Sequence, residues 1–113
     1  MREHDLQNLI RIELSKYGIP FRTNAGKFWQ GRLTTLNGHK VLMDPRPVMG
    51  LPNGFTDLLF VGDDGTVAFI EIKTESGRVR PDQQKFIDMM ISKGYRAGVA
   101  RSVEDALKII GGK

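Results

Sequence analysis

Leu6, Leu9, Ile10, Ile12, Glu13, Leu14 and Tyr17 fall at helical spacing, so residues 3–17 are expected to form an amphipathic helix. Gly18 stands where such a helix stops. Ile19 to Thr23 has the length and apolar content of a short strand. Residues 27–43 are expected to fold as a β-hairpin, with Asn37-Gly38 as its tight turn. From Asp44 to Gly54 three prolines interrupt the pattern, which predicts an irregular loop leading to Asp57.

Two apolar runs follow, Gly54-Phe55-Thr56-Asp57-Leu58-Leu59-Phe60-Val61 and Thr66-Val67-Ala68-Phe69-Ile70-Glu71-Ile72-Lys73. The turn-forming Gly62-Asp63-Asp64-Gly65 between them predicts adjacent strands. Thr74 to Arg80 is a polar, basic loop. Pro81 suits the first turn of a helix, where no N–H is needed. Phe86, Ile87, Met90 and Ile91 give that helix an apolar face, and Gly94 ends it. Arg96 to Arg101 is expected to be a short buried strand, Ser102 a helix cap, and the last helix to run to about Ile110 before a frayed Gly111-Gly112-Lys113 tail. The order predicts a single α/β domain over residues 1–113, a mixed central sheet flanked by helices.

Bulk properties narrow the partners. A chain of 113 residues with 40% hydrophobic and 27% charged residues is that of a folded protein. Its net charge of +4 points to an anionic partner, nucleic acid before a membrane surface. The charge is uneven: between Lys16 and Thr56 stand six basic residues and one acid, Asp44. These are either a nucleic-acid-binding surface or scattered solvating charges. Lys27, Arg32, Arg46, Arg78 and Arg80 are the candidate phosphate contacts, and Phe28 and Trp29 could stack on an unpaired base or belong to core and hairpin surface. There is no cysteine, so disulfides and thiolate metal sites are excluded. The polar start is unlike a signal peptide and no run is long enough to span a membrane, so a cytoplasmic location is expected. His4 and His39 lack zinc-ligand spacing, and Asp63 and Asp64 are expected turn residues.

The candidate chemistry lies on the paired runs. Side chains alternate along a strand, so Glu71 and Lys73 share one face and Ile70 and Ile72 the other. Asp57 and Glu71 would bring two carboxylates together, with the backbone carbonyl of Ile72 as a third oxygen. Such oxygen ligands suit Mg²⁺ or Mn²⁺, and a water bound there can attack a phosphodiester. Lys73 would orient that water or offset the developing charge. A Glu-x-Lys alone is weak evidence, and surface carboxylates of no function remain the plain alternative.

Asp57 with Glu71-Ile72-Lys73 resembles the PD-(D/E)xK nuclease signature, with Thr56 where that signature has Pro. The chain is more broadly similar to VRR-NUC nucleases, especially the small stand-alone forms of phages and bacteria. The likeness runs through Glu3 to Gln7, Gly50 to Leu58, Ile70 to Lys73, Gly77 to Gln84 and Gly94 to Ser102. It implies a restriction-endonuclease-like core. It also implies that an acid of the first helix, here Glu3, joins the metal site, and that Gln83 packs at the active site, with Gln84 a lesser choice. The family usually has Ser where this chain has Arg80. Small members resemble junction resolvases and pair as homodimers, which implies DNA cleavage at four-way (Holliday) junctions in a bacterial cell or phage-infected host. Cleavage of flap or linear DNA, and a DNA-binding module without catalysis, are the alternatives.

Overall fold

The computed structural model describes residues 1–23 and 27–112, and for residues 27–29, 48 and 49 the backbone only. Lys113 of the expected tail, and the side chains of Lys27, Phe28 and Trp29, lie outside what is described. The elements in chain order are α1 (Glu3–Leu14), β1 (Gly18–Arg22), β2 (Lys27–Leu36), β3 (His39–Met49), β4 (Leu58–Gly62), β5 (Val67–Ile72), α2 (Pro81–Ser92), β6 (Arg96–Ala100) and α3 (Val103–Ile109).

A four-stranded mixed sheet in the order β1-β4-β5-β6 organises the molecule. The β1/β4 and β4/β5 pairs are antiparallel and β5/β6 is parallel. The α2 helix makes the crossover that a parallel pair requires. Strand alternation then sorts the two faces. Ala68, Ile70 and Ile72 of β5 join Leu58 and Phe60 of β4 beneath α1 and α3, which bury Leu6, Ile10, Leu14, Ala106 and Ile110 against them. Burying these side chains is the main drive to fold, each worth about 1.5–3 kcal/mol.

The opposite face carries Phe69 and Glu71 towards α2. There Phe69 meets Phe55 edge-on at 5.8 Å and Phe86 at 5.7 Å, and Phe55 lies 4.7 Å from Phe86. This cluster ties the chain before β4, the centre of β5 and the middle of α2 to one another. Gly54 permits the close approach. Its φ is +90°, and a Cβ there would stand 2.6 Å from the Asp82 carbonyl.

Several boundaries differ from the sequence expectation. The first helix ends at Leu14 instead of residue 17, and Gly18 opens β1 instead of capping the helix. At Gly18 the β1 and β4 backbones come so near that a Cβ would meet the Val61 carbonyl. The segment expected to be an irregular loop continues β3 through Pro45 and Pro47 to Met49. Both strands of a two-stranded ribbon are edges, where a missing N–H is tolerated, and an irregularity opposite Gln30 and Arg32 absorbs Asp44 and Pro45. The strand from Arg96 lies at the sheet edge and fully buries only Ala100. Gly111 and Gly112 take positive φ and donate to the Lys108 and Leu107 carbonyls, so they cap α3 instead of fraying. The Ser102 cap is present, its hydroxyl accepting from the Asp105 N–H at 3.0 Å.

Candidate active site

The site forms where the β4–β5 ladder ends. Backbone pairing stops at Leu58 opposite Ile70. Asp57 is thus the residue just before β4 and not part of the strand. Beyond that point side chains replace the ladder. The Ile72 N–H donates to Asp57 Oδ2 at 2.8 Å, and the Asp57 N–H donates to Glu71 Oε1 at 3.2 Å. Each strand end is thus held by the other's carboxylate. A strand residue's N–H and C=O leave from the same edge, which puts the Ile72 carbonyl on the edge of β5 whose N–H meets Asp57.

Asp57 is fixed from its other side as well. The Thr23 N–H donates to the Asp57 carbonyl at 2.9 Å, and the Thr23 hydroxyl donates to the Thr56 carbonyl. Thr56 is fully buried, and its hydroxyl donates to the Leu58 carbonyl at 3.1 Å. The residue at the position where the signature has Pro is therefore a built part of the turn. Sequence reading missed Thr23, and a lone Thr after a short strand carries no signal that would have found it.

Glu71 is 1% exposed. Gln83 Nε2 donates to its Oε2 at 2.7 Å, and Lys73 Nζ stands 3.8 Å from the same oxygen. Burial first, and the nearby Asp57 second, push the Glu71 carboxyl up to about 8, against the opposing pull of Lys73 and the Asp57 N–H. Two crowded carboxylates and a carbonyl edge have the donor chemistry of a hard-cation site, and a divalent cation held there would favour the ionised form of Glu71. The residues fit such an ion.

Gln83 is itself fixed. It is 5% exposed, and its Oε1 accepts from the Arg80 N–H at 2.9 Å. The helix start is thus closed by the Gln83 side chain, whatever residue precedes Pro81. Gln84 points away and bonds Asp88 at 2.9 Å.

Glu3 is exposed in the first turn of α1, and the structure does not gather it with Asp57 and Glu71. Among the described residues no group of three or more His, Asp or Glu side chains stands ready to hold a metal ion. Arg78 and Arg80 are exposed on the loop before α2, Arg80 pairing with Asp82 at 3.2 Å. Arg32 and Arg46 are exposed on the β2–β3 ribbon. His4 bonds Asn8 in its own helix turn, and Asp64 accepts from Thr66 in the β4–β5 turn.

Arg101 is a second residue that sequence reading missed. Its Nη1 donates to the carbonyls of Thr74 at 2.6 Å and Gly77 at 2.7 Å. The Lys73 N–H donates to the Ala100 carbonyl beside it. Arg101 therefore holds the loop into which Lys73 leads.

Fold and site together define a compact two-carboxylate, one-lysine centre at the end of a mixed sheet. The VRR-NUC domain family matches residues 1–104, so the chain belongs to that family and is a nuclease domain. A solved structure described as a VRR_NUC domain shares the fold, with a TM-score of 0.57 at 18% identity over 96% of this chain and 92% of that one. No curated protein matches the chain.

Proposed function

We propose that this protein is a Mg²⁺- or Mn²⁺-dependent endonuclease that hydrolyses DNA phosphodiester bonds at branched substrates, four-way junctions above all, as a homodimer. The observation that carries the hydrolytic reading is the cluster at the end of β5, where the Asp57 N–H and the Lys73 ammonium meet the two oxygens of the Glu71 carboxylate and the Asp57 carboxylate meets the next residue's N–H.

Asp57, Glu71 and the Ile72 carbonyl would hold the cation. When bound, it polarises the scissile phosphate and lowers the pKa of a water ligand. The remaining work belongs to the chain. Gln83 keeps Glu71 Oε2 in place. Lys73 donates to the attacking water or to a phosphate oxygen as negative charge grows. Glu3 is kept as a further ligand only in the sense that DNA or metal binding would have to draw it in from an exposed position.

Dimer formation is supported by apolar surface. Ile19 and Val61 are paired across β1 and β4, with Phe21 next along the same face, and all three are exposed where α2 does not reach. A two-fold pair through such a face would repeat the site for symmetric cuts. Among the described residues no helix is long and apolar enough to cross a membrane. We place the activity in the cytoplasm of a bacterial cell or phage-infected host.

The test compares linear duplex, flap and four-way-junction DNA with Mg²⁺, Mn²⁺ or EDTA, with Glu71→Ala beside the wild type. Junction cutting that needs metal and Glu71 is expected, together with a dimer mass in sedimentation. Cutting of flap or linear DNA alone keeps the site and removes the junction assignment. Tight DNA binding without cutting under any metal leaves a binding module.

A further inference from the structure

The β2–β3 ribbon stands apart from the body. Among the described residues it has no substantial packing against any other element, and the molecule measures 53 Å along its long axis against 31 and 27 Å across. A ten-residue strand spans about 33 Å, so the ribbon forms much of that length. An isolated two-stranded ribbon has no core of its own and gives the fold little stability.

The irregularity in the ribbon decides which side chains share a face. Arg32 is opposite Met43, but Gln30 is opposite Arg46, so β3 carries one extra residue there. Asp44 takes φ +50° at this point, and Gly31 allows a backbone approach in which a Cβ would stand 2.6 Å from the Met43 carbonyl. One inserted residue reverses the alternation beyond it. Arg46 consequently lies on the same face as Gln30 and Arg32, around a shallow concavity that Gly31, Asp44 and Pro45 also line. In an unbroken ribbon it would point to the other side. Neither arginine makes an ion pair among the described residues.

Both ends of the ribbon start at the site. Thr23, which holds Asp57 and Thr56, precedes Lys27 by a few residues, and residues 50–56 lead from Met49, the partner of Lys27 at the same end of the ribbon, back to Asp57. DNA lying at the site is therefore beside the root of the ribbon.

We infer that the β2–β3 ribbon is an arm that grips duplex DNA flanking the scissile phosphate, with Arg32 and Arg46 on backbone phosphates. The inference rests on the nuclease reading. The major groove of B-form DNA admits a two-stranded ribbon, whereas the deep, narrow groove of duplex RNA does not admit side chains. Arg32, Lys40 and Arg46 against the single acid Asp44 give the described ribbon the sign that DNA requires.

The experiment measures binding of the whole protein to a fluorescent DNA duplex in EDTA as salt rises. Arg32→Gln with Arg46→Gln should flatten the slope of log K against log salt by about 2 and weaken binding at least tenfold at about 0.1 M salt. Arg32→Lys with Arg46→Lys should keep the wild-type slope, since a phosphate contact needs only the charge. Lys93→Gln with Lys108→Gln removes two charges from the body and should leave the slope as it was. Wild-type slope and affinity in the double Gln variant, while the wild type cuts DNA with metal, would overturn the arm alone. A wild type that neither binds nor cuts DNA would overturn the arm and the nuclease reading together. A double Gln variant that changes only the oligomeric state would assign the ribbon to a protein interface and overturn the inference.

Discussion

The Gln83 amide joins the start of α2 to the Glu71 carboxylate. Its Nε2 donates to Glu71 Oε2 at 2.7 Å while its Oε1 accepts from the Arg80 N–H at 2.9 Å. One side chain thus closes a helix end and orients a metal-site oxygen. Phe86 follows one helical turn later, against Phe69, which precedes Glu71 by two residues on the same strand face. The aromatic contact sets the height of the helix over the sheet, and the polar contact one step further along uses that height.

Replacing Gln83 with Leu should therefore act at both ends. It leaves Glu71 Oε2 and the Arg80 N–H without their partner, which should cost about 1–3 kcal/mol of stability in urea unfolding. Metal affinity should fall about 10–100-fold in calorimetric titration, as when a group supporting a ligand is removed. An unchanged affinity would show that Glu71 is held by Asp57 and the fold alone.

Glu71 makes the metal-free protein sensitive to pH. Its carboxyl is pushed from an ordinary 4.5 to about 8 in the folded state. The folded chain binds that proton more tightly than the unfolded chain. The stability from this group is fully present below about 4.5 and is lost as pH rises through about 8. Thermal unfolding in EDTA should show the wild type losing more between these pH values than Glu71→Gln, which cannot ionise. Mg²⁺ should raise the wild-type midpoint more on the alkaline side, since bound ligand stabilises by mass action. Parallel curves for the two proteins would remove the assignment.

Arg101 should act on Lys73 through the loop. Arg101→Gln loses the two short bonds to Thr74 and Gly77, with an expected cost of about 1–2 kcal/mol and faster amide exchange at Gly77. Cleavage should fall with it. Arg101→Lys should restore part of the protection, because both bonds come from the single nitrogen Nη1 and an ammonium also carries three donors on one nitrogen. Normal exchange at Gly77 in Arg101→Gln would show that the loop is held by other contacts.

Phe69→Ala should open a cavity between Phe55 and Phe86 and cost about 3–5 kcal/mol. Asp57 and Gln83 each stand close in sequence to one of these rings, so cleavage should drop more than the fraction unfolded explains. Phe69→Leu should keep most of both properties. Activity that tracks the folded fraction in Phe69→Ala would show that the rings stabilise the fold without placing the site.

The sequence by itself determined the elements and the core chemistry. Alternation placed Glu71 opposite Ile70 and Ile72, and the Gly62–Gly65 turn paired its strand with the one after Asp57. Pro81 and Ser102 marked helix starts through local backbone chemistry. Such features depend on a few neighbouring residues, so they can be read without the fold.

Long-range geometry decided the rest. The ribbon runs through Pro45 and Pro47 because both of its strands are edges, a property of the pairing and not of the prolines. Gly18 entered a strand because β4 lies against it. Thr23 and Arg101 became part of the site's frame by bonding carbonyls 34 and 27 residues away, to Asp57 and Thr74. Glu3, placed by resemblance, stays exposed because α1 packs its Leu6 face on the sheet side opposite Glu71. Sequence periodicity tells which face of an element is apolar. Only the packed chain tells which polar groups then meet, because that depends on the docking of faces remote in sequence.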